Sequence, residues 1–171
     1  VDRLRICHAP RNRRVKGTER LIAAVEQARR EAEVELDLIE GVTHEEAIRR
    51  KRRANLLVDQ VGANTTATGY GMNSLEALAM GIPCMTTMTP DYRAFLEPHP
   101  FLPADEEGLV RELLALARDP RPLRELAERG RRWVERVHDA DRVVERIYDT
   151  YRARGWMDDA GNALPAGRAA G

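Results

Sequence analysis

Residues 69–83, GYGMNSLEALAMGIP, hold the residue types and spacing best suited to ligand chemistry. Gly69 and Gly71 permit backbone shapes and close ligand approach that a side chain would forbid. Asn73 or Ser74 is expected to cap a helix that follows. Free N–H groups at a helix start favour an anion, most often a phosphate. Glu76, expected in the first turn, is out of place in a loop that only binds phosphate. It suits a ligand with phosphate at one end and hydroxyls at the other, as in a nucleotide sugar. There is a plainer reading. Gly-containing strand–turn–helix junctions are common in α/β proteins, and an early Glu also complements the helix dipole.

A second concentration of charge lies at Pro10–Gly17, PRNRRVKG. Lys16, Arg11, Arg13 and Arg14 there could hold a diphosphate. A solvated loop in an Arg-rich chain is the alternative. It is weaker for Lys16, because Lys16 and Lys51 are the only lysines. The run RRKRR at 49–53 reads as a solvated helix end that complements the dipole, with a membrane-surface or nucleic-acid role as the lesser alternative. Asp59 and Gln60 close a short apolar run, and the loop Val61–Thr68 is small and polar, as active-site loops are.

These groups need elements to position them. Arg3–His8, Val34–Ile39, Asn55–Asp59 and Pro83–Thr86 read as strands, with Phe101–Leu102 as a minimal fifth. Between them, Leu21, Ile22, Val25 and Ala28 recur at helical spacing after Thr18, an expected cap, in a helix from about Glu19 to Ala32. Thr43 with Glu46 forms a capping box for a helix to about Arg53. Leu75, Leu78 and Ala79 mark the central helix. Pro90–Leu96 is a loop or short helix. From Asp105 onward, three apolar stripes mark three helices. Alternating strands and helices call for an α/β fold with a doubly wound parallel sheet and C-terminal helices. In such a sheet the loop after the first strand lies at the carboxyl edge, where ligands bind. Residues 1–154 are expected to form one Rossmann-like domain, and residues 155–171, rich in Gly, Ala and Pro, a tail without fixed structure.

Composition removes several classes. Formal net charge is zero, so nothing global favours nucleic acid or a membrane as partner. Cys7 and Cys84 lack Cys-x-x-Cys spacing and read as reduced core thiols of a cytoplasmic protein. His8, His44, His99 and His138 show no metal spacing, and no metal or other cofactor is expected. The first strand is not followed by Gly-x-Gly-x-x-Gly. No P-loop and no Gly-x-Ser-x-Gly elbow is present. His8-Ala9-Pro10 stands where a receiver domain needs clustered acids. The chain enters its first strand almost at once, so further sequence is expected before it.

From about Leu4 to Arg154 the chain resembles the C-terminal, donor-binding half of the group 1 glycosyltransferases of GT-B fold. The resemblance rests on HAPRNRRVKGT, DLIEGVTHEEA, LLVDQ followed by GYGMNSLEALAMGIPCM, and LARDPRPLRELAERGRRWVERVHDADRVVERIYDTY, in that order and spacing. It implies that residues 1–154 form a nucleotide-sugar-binding domain in which Lys16 binds the donor diphosphate, with Arg11 or Arg13 as its partner. It implies that Glu76 accepts hydrogen bonds from the ribose hydroxyls and that backbone N–H groups of Gly71, Met72 and Asn73 meet phosphate or sugar. It places the base at the turn Gly41–Val42. The family pairs two glutamates with seven residues between them; Glu76 matches the second, and the first falls at position 68, where this chain has Thr68. A subgroup with Asp-Gln followed by Gly-Tyr-Gly also lacks that Glu, and Asp59 is a candidate substitute sugar contact, or merely a strand-end cap. The implied reaction is retaining transfer of a sugar from a nucleoside diphosphate to an acceptor hydroxyl, in polysaccharide or surface-glycan synthesis, with the protein in the cytoplasm and the inner face of the membrane as an alternative place for it. A missing N-terminal acceptor domain or a partner chain would complete the enzyme, and this chain alone would have little activity. A non-catalytic nucleotide-binding module and a sugar-nucleotide epimerase are the alternatives.

Overall fold

The computed structural model describes residues 3–62, 69–96 and 98–164. Four parallel strands, β1 (Leu4–His8), β2 (Val34–Leu38), β3 (Leu56–Gln60) and β4 (Cys84–Thr86), form one sheet in the order β2-β1-β3-β4. Parallel neighbours cannot be joined by tight turns, so helices make the crossovers. These are α2 (Thr18–Ala28), α3 (His44–Lys51) and α4 (Met72–Ala79). The chain moves from β1 to β2 on one side and then returns to lay β3 on the other side of β1. That reversal opens a crevice between the carboxyl ends of β1 and β3. The doubly wound, Rossmann-like expectation is met.

Every residue of β3 is buried, as a strand covered on both faces requires. Leu56 and Val58 join Leu4, Ile6, Leu21, Val25 and Leu113 in the main core, where α2 and α6 (Leu109–Arg118) cover one face. Leu57 and Asp59 alternate to the other face, against α4. Leu102 bridges Met85 in parallel, so the expected fifth strand is a single bridge. Pro90–Leu96 is helical (α5). The helix α7 (Arg121–Val137) packs Gly130 on α4; a Cβ there would lie 2.6 Å from Leu78 Cδ2.

Three local expectations are corrected. Residues 13–16 are not loop but a one-turn helix, α1 (Arg13–Lys16), capped by the Asn12 side chain at the Val15 amide. Thr18 does not cap α2; Gly17 does, and Thr18 is buried inside the first turn. The capping box is half made: Thr43 Oγ1 accepts from the Glu46 amide at 3.3 Å, but the Glu46 carboxylate turns to Arg49.

The chain divides into two compact units, Val1–Trp133 and Val134–Gly171, a division that the expected 1–154 domain spans. The second unit contains α8 (Ala140–Ala153), which has no buried residue. In the described part of the tail, Leu164 N donates to Trp156 O and Asp158 N to Asn162 O. Among the described residues no helix is long and apolar enough to cross a membrane.

Candidate functional site

The motif Lys16-Gly17-Thr18 is fixed by three contacts at the ends of β1 and β3. Gly17 has φ 66°, which disfavours any other residue, and a Cβ there would fall 2.1 Å from the Val61 carbonyl oxygen. Only glycine lets the chain turn from α1 into α2 this close to the end of β3. Thr18 Oγ1 lies 2.8 Å from His8 Nε2, and His8 Nδ1 lies 2.6 Å from the Val58 carbonyl. A carbonyl only accepts, so Nδ1 carries the proton and Nε2 accepts from the threonine hydroxyl. Burial lowers the His8 pKa and keeps the ring neutral.

Lys16 then reaches across the crevice. Its Nζ donates to Asp59 Oδ1 at 2.7 Å. Asp59 Oδ2 accepts from the Gly71 amide at 3.1 Å and from Ser74 Oγ at 2.7 Å. Asp59 is thus a buried clamp that joins α1 to the start of α4. Its side chain is 1% exposed, against 17% for Lys16. The clamp is packed closely enough that a Cβ on Gly71 would lie 3.4 Å from Lys16 Nζ. Asp59 does more than cap a strand end, and both its oxygens are engaged.

Gly71, not Asn73 or Ser74, is the N-cap of α4, and no side chain caps this helix. The Gly71 amide is committed to Asp59, while the Met72 and Asn73 amides have no acceptor among the described residues. Glu76 lies one turn further in than expected; the first turn holds no acid.

A second ion pair forms around Glu76. Its Oε2 accepts from Lys51 Nζ at 2.5 Å and its Oε1 lies 2.9 Å from His44 Nε2. Lys51 Nζ also donates to Asn73 Oδ1 at 2.5 Å, and Asn73 Nδ2 donates to the Ala9 carbonyl at 2.7 Å. Burial raises the Glu76 pKa, and the bonds from Lys51 and His44 outweigh it, leaving the carboxyl below its ordinary value. Lys51 corrects the reading of RRKRR as a solvated helix end: its side chain is 2% exposed. Its signal was present in the sequence. Lys51 falls three and four residues after Ile48 and Ala47, on the inward stripe of α3.

The arginines separate. Arg13 is committed to carboxylates, with Nε and a terminal nitrogen on Glu40 at 2.9 and 2.8 Å and the other terminal nitrogen on Glu19 at 2.9 Å. These bonds raise the Arg13 pKa and lower that of Glu40. Arg11 and Arg14 are exposed and make no ion pair with a described residue. Gly41 (φ 64°) and Val42 form an exposed turn just before Thr43 and His44, at the edge of the Glu76 pair. Thr68 lies outside the described residues. Cys7 and Cys84 are buried and free, and burial pushes the Cys7 thiol up to about 12. No group of three or more His, Cys, Asp or Glu among the described residues could hold a metal ion.

The sequence matches the family described as glycosyl transferase-like over residues 35–149. No curated protein matches by sequence. Among solved structures, the chain is similar to sucrose-phosphate synthase (tll1590) from Thermosynechococcus elongatus, with TM-score 0.67 and 18% identity. That match covers 89% of this chain and 45% of the other. It is also similar to Anabaena Alr3699/HepE, crystallised in complex with UDP-glucose, with TM-score 0.60 and 15% identity over 89% of this chain and 49% of that one. The chain therefore spans about half the length of the structures it matches.

Proposed function

This chain belongs to the glycosyl transferase-like family, and from that premise we propose that it is a donor-binding domain. It takes a nucleoside-diphosphate sugar at the crevice between β1 and β3, for retaining transfer of the sugar to an acceptor hydroxyl. One observation carries the reading: two ion pairs of opposite orientation flank the start of α4. In Lys16–Asp59 the carboxylate is buried and the lysine is the more exposed partner; in Lys51–Glu76 the lysine is buried and the carboxylate is the more exposed partner. A ligand entering here meets a cation at one end and an acceptor of hydroxyl protons at the other.

A diphosphate draws Lys16 from Asp59 toward itself, with the Met72 and Asn73 amides beside it. Charge that develops on the leaving diphosphate is then met by preorganised donors without a metal. Arg11 is the better partner for Lys16, because Arg13 already serves Glu40 and Glu19. The ribose hydroxyls reach Glu76, and the base lies at Gly41–Val42. HepE, which shares the fold and was crystallised with UDP-glucose, makes a uridine nucleotide the first ligand to try. The acceptor site belongs to a second domain or a partner chain, in keeping with the half-length coverage of the solved structures. Synthesis of a polysaccharide or surface glycan, on the cytoplasmic side of a membrane, is the setting we propose.

Calorimetric titration with UDP, GDP and ADP, each beside its nucleoside, tests this. One diphosphate should bind. Lys16→Ala should weaken the diphosphate by about tenfold or more while sparing the nucleoside, because a charge-assisted bond contributes about 1.5–3 kcal/mol. Binding of none of them to the folded chain, or equal loss for both ligands, refutes it. A second reading has its own support: Lys16, Arg13 and Glu76 are all internally paired. A module that kept the fold but lost the chemistry would look the same, and it predicts that no diphosphate binds.

A further inference from the structure

We infer that Lys51 is a positioning residue of the donor site, a buried ammonium that fixes which oxygen of Glu76 meets the ribose diol. The inference rests on the donor reading above. Lys51 occupies a place on the inward stripe of α3 that an apolar side chain would fill at lower desolvation cost. Its ammonium is tied to two α4 side chains, Asn73 and Glu76. Asn73 is in turn held at both ends of its amide, because Oδ1 accepts from Lys51 and Nδ2 donates to the Ala9 carbonyl beyond β1. The end of α3, the start of α4 and the loop after β1 thus meet at a single buried ammonium.

The consequence falls on Glu76. Oε2 is committed inward to Lys51, so Oε1 is the oxygen a ligand can reach. Its present partner is His44 Nε2, on a side chain that is 75% exposed. His44 stands where a ribose hydroxyl would stand, and it can leave for solvent when the nucleotide arrives. A free glutamate loses rotamer entropy when it orders on a ligand; Glu76 has lost it already. Lys51 therefore acts through Glu76 and does not touch the nucleotide.

The test compares the nucleoside diphosphate that binds best with its 2′,3′-dideoxy analogue, by calorimetry on the whole chain. Wild type should prefer the ribose form by about tenfold or more, as hydrogen bonds to a charged acceptor imply. Lys51→Met should abolish that preference, weakening the ribose form by about tenfold more than the dideoxy form. An equal fall for both ligands would make Lys51 merely structural, and an intact preference would make it irrelevant; either overturns the inference but leaves the donor reading standing. Failure of wild type to bind any diphosphate removes the donor reading, and this one with it. A second measurement does not need the variant to fold. The chain has two lysines, so nitrogen-15 lysine labelling gives two ammonium resonances, assigned with Lys16→Ala. The Lys51 resonance should shift with the ribose form and stay in place with the dideoxy form. Equal shifts, or none, overturn the inference.

Discussion

The two lysines of this chain lie in ion pairs built with opposite polarity. Lys16 is partly exposed and its partner Asp59 is buried; Lys51 is buried and its partner Glu76 is partly exposed. The buried member is in each case the structural one. Asp59 holds Gly71 and Ser74 of α4 as well as Lys16, and Lys51 holds Asn73 as well as Glu76. The more exposed member is the one that the proposed donor reading assigns to the ligand. Two lysine–carboxylate pairs thus flank the start of α4, and in one the carboxylate is covered while in the other the lysine is.

Truncating the outward members should separate the pairs most. Glu76→Ala leaves a buried ammonium with one amide oxygen as its remaining described partner, a loss of about 3–5 kcal/mol. Lys16→Ala leaves Asp59 with two protein donors and should cost about 1–2 kcal/mol. Urea unfolding of both variants checks the ranking, and a larger loss for Lys16→Ala would break the comparison.

Gly17→Ala should fall between those two, at about 2–3 kcal/mol, because it forces a side chain into positive φ and against the Val61 carbonyl. If it is neutral in the same unfolding assay, the position of Lys16 does not depend on that turn.

The smallest effect is a pH dependence. The folded His8 pKa is lowered, so the unfolded chain binds protons more readily, and stability declines as pH falls below the ordinary 6.5. The folded Glu76 pKa is also lowered. Its contribution is present above the ordinary 4.5 and is lost as pH falls through the folded value. Glu76→Gln should flatten the lower window and leave the upper one intact, as read from unfolding midpoints across that range. A profile unchanged below 4.5 would mean that Glu76 is not held as an ion.

Much of this was legible beforehand. Apolar runs, Gly and Pro breaks and the order of motifs located every strand to within a residue or two, and with them the carboxyl edge where Lys16 and Asp59 meet. Turn chemistry was less legible. Thr18 has the type of a helix cap but serves as the partner of a buried histidine, a role set by His8 ten residues earlier in the chain and one strand away in space. Arg13 has the type of a diphosphate ligand and is taken by Glu40, which β2 brings beside it. Lys51 sits in a run of arginines, where composition points to solvent, and only its helical spacing from Ala47 and Ile48 marks it as inward.

By itself the sequence determined the order of the elements, the doubly wound sheet and the membership of Lys16, Asp59 and Glu76 in one region. Local periodicity and glycine placement depend on neighbours a few residues apart, and those are written along the chain. Only the tertiary structure decided which partner in each ion pair is buried. That depends on α4 packing over β3 and beside the end of α3. A charge is covered or exposed by residues 25 to 43 positions away, as with Lys51–Glu76 and Lys16–Asp59. No local pattern encodes that distance.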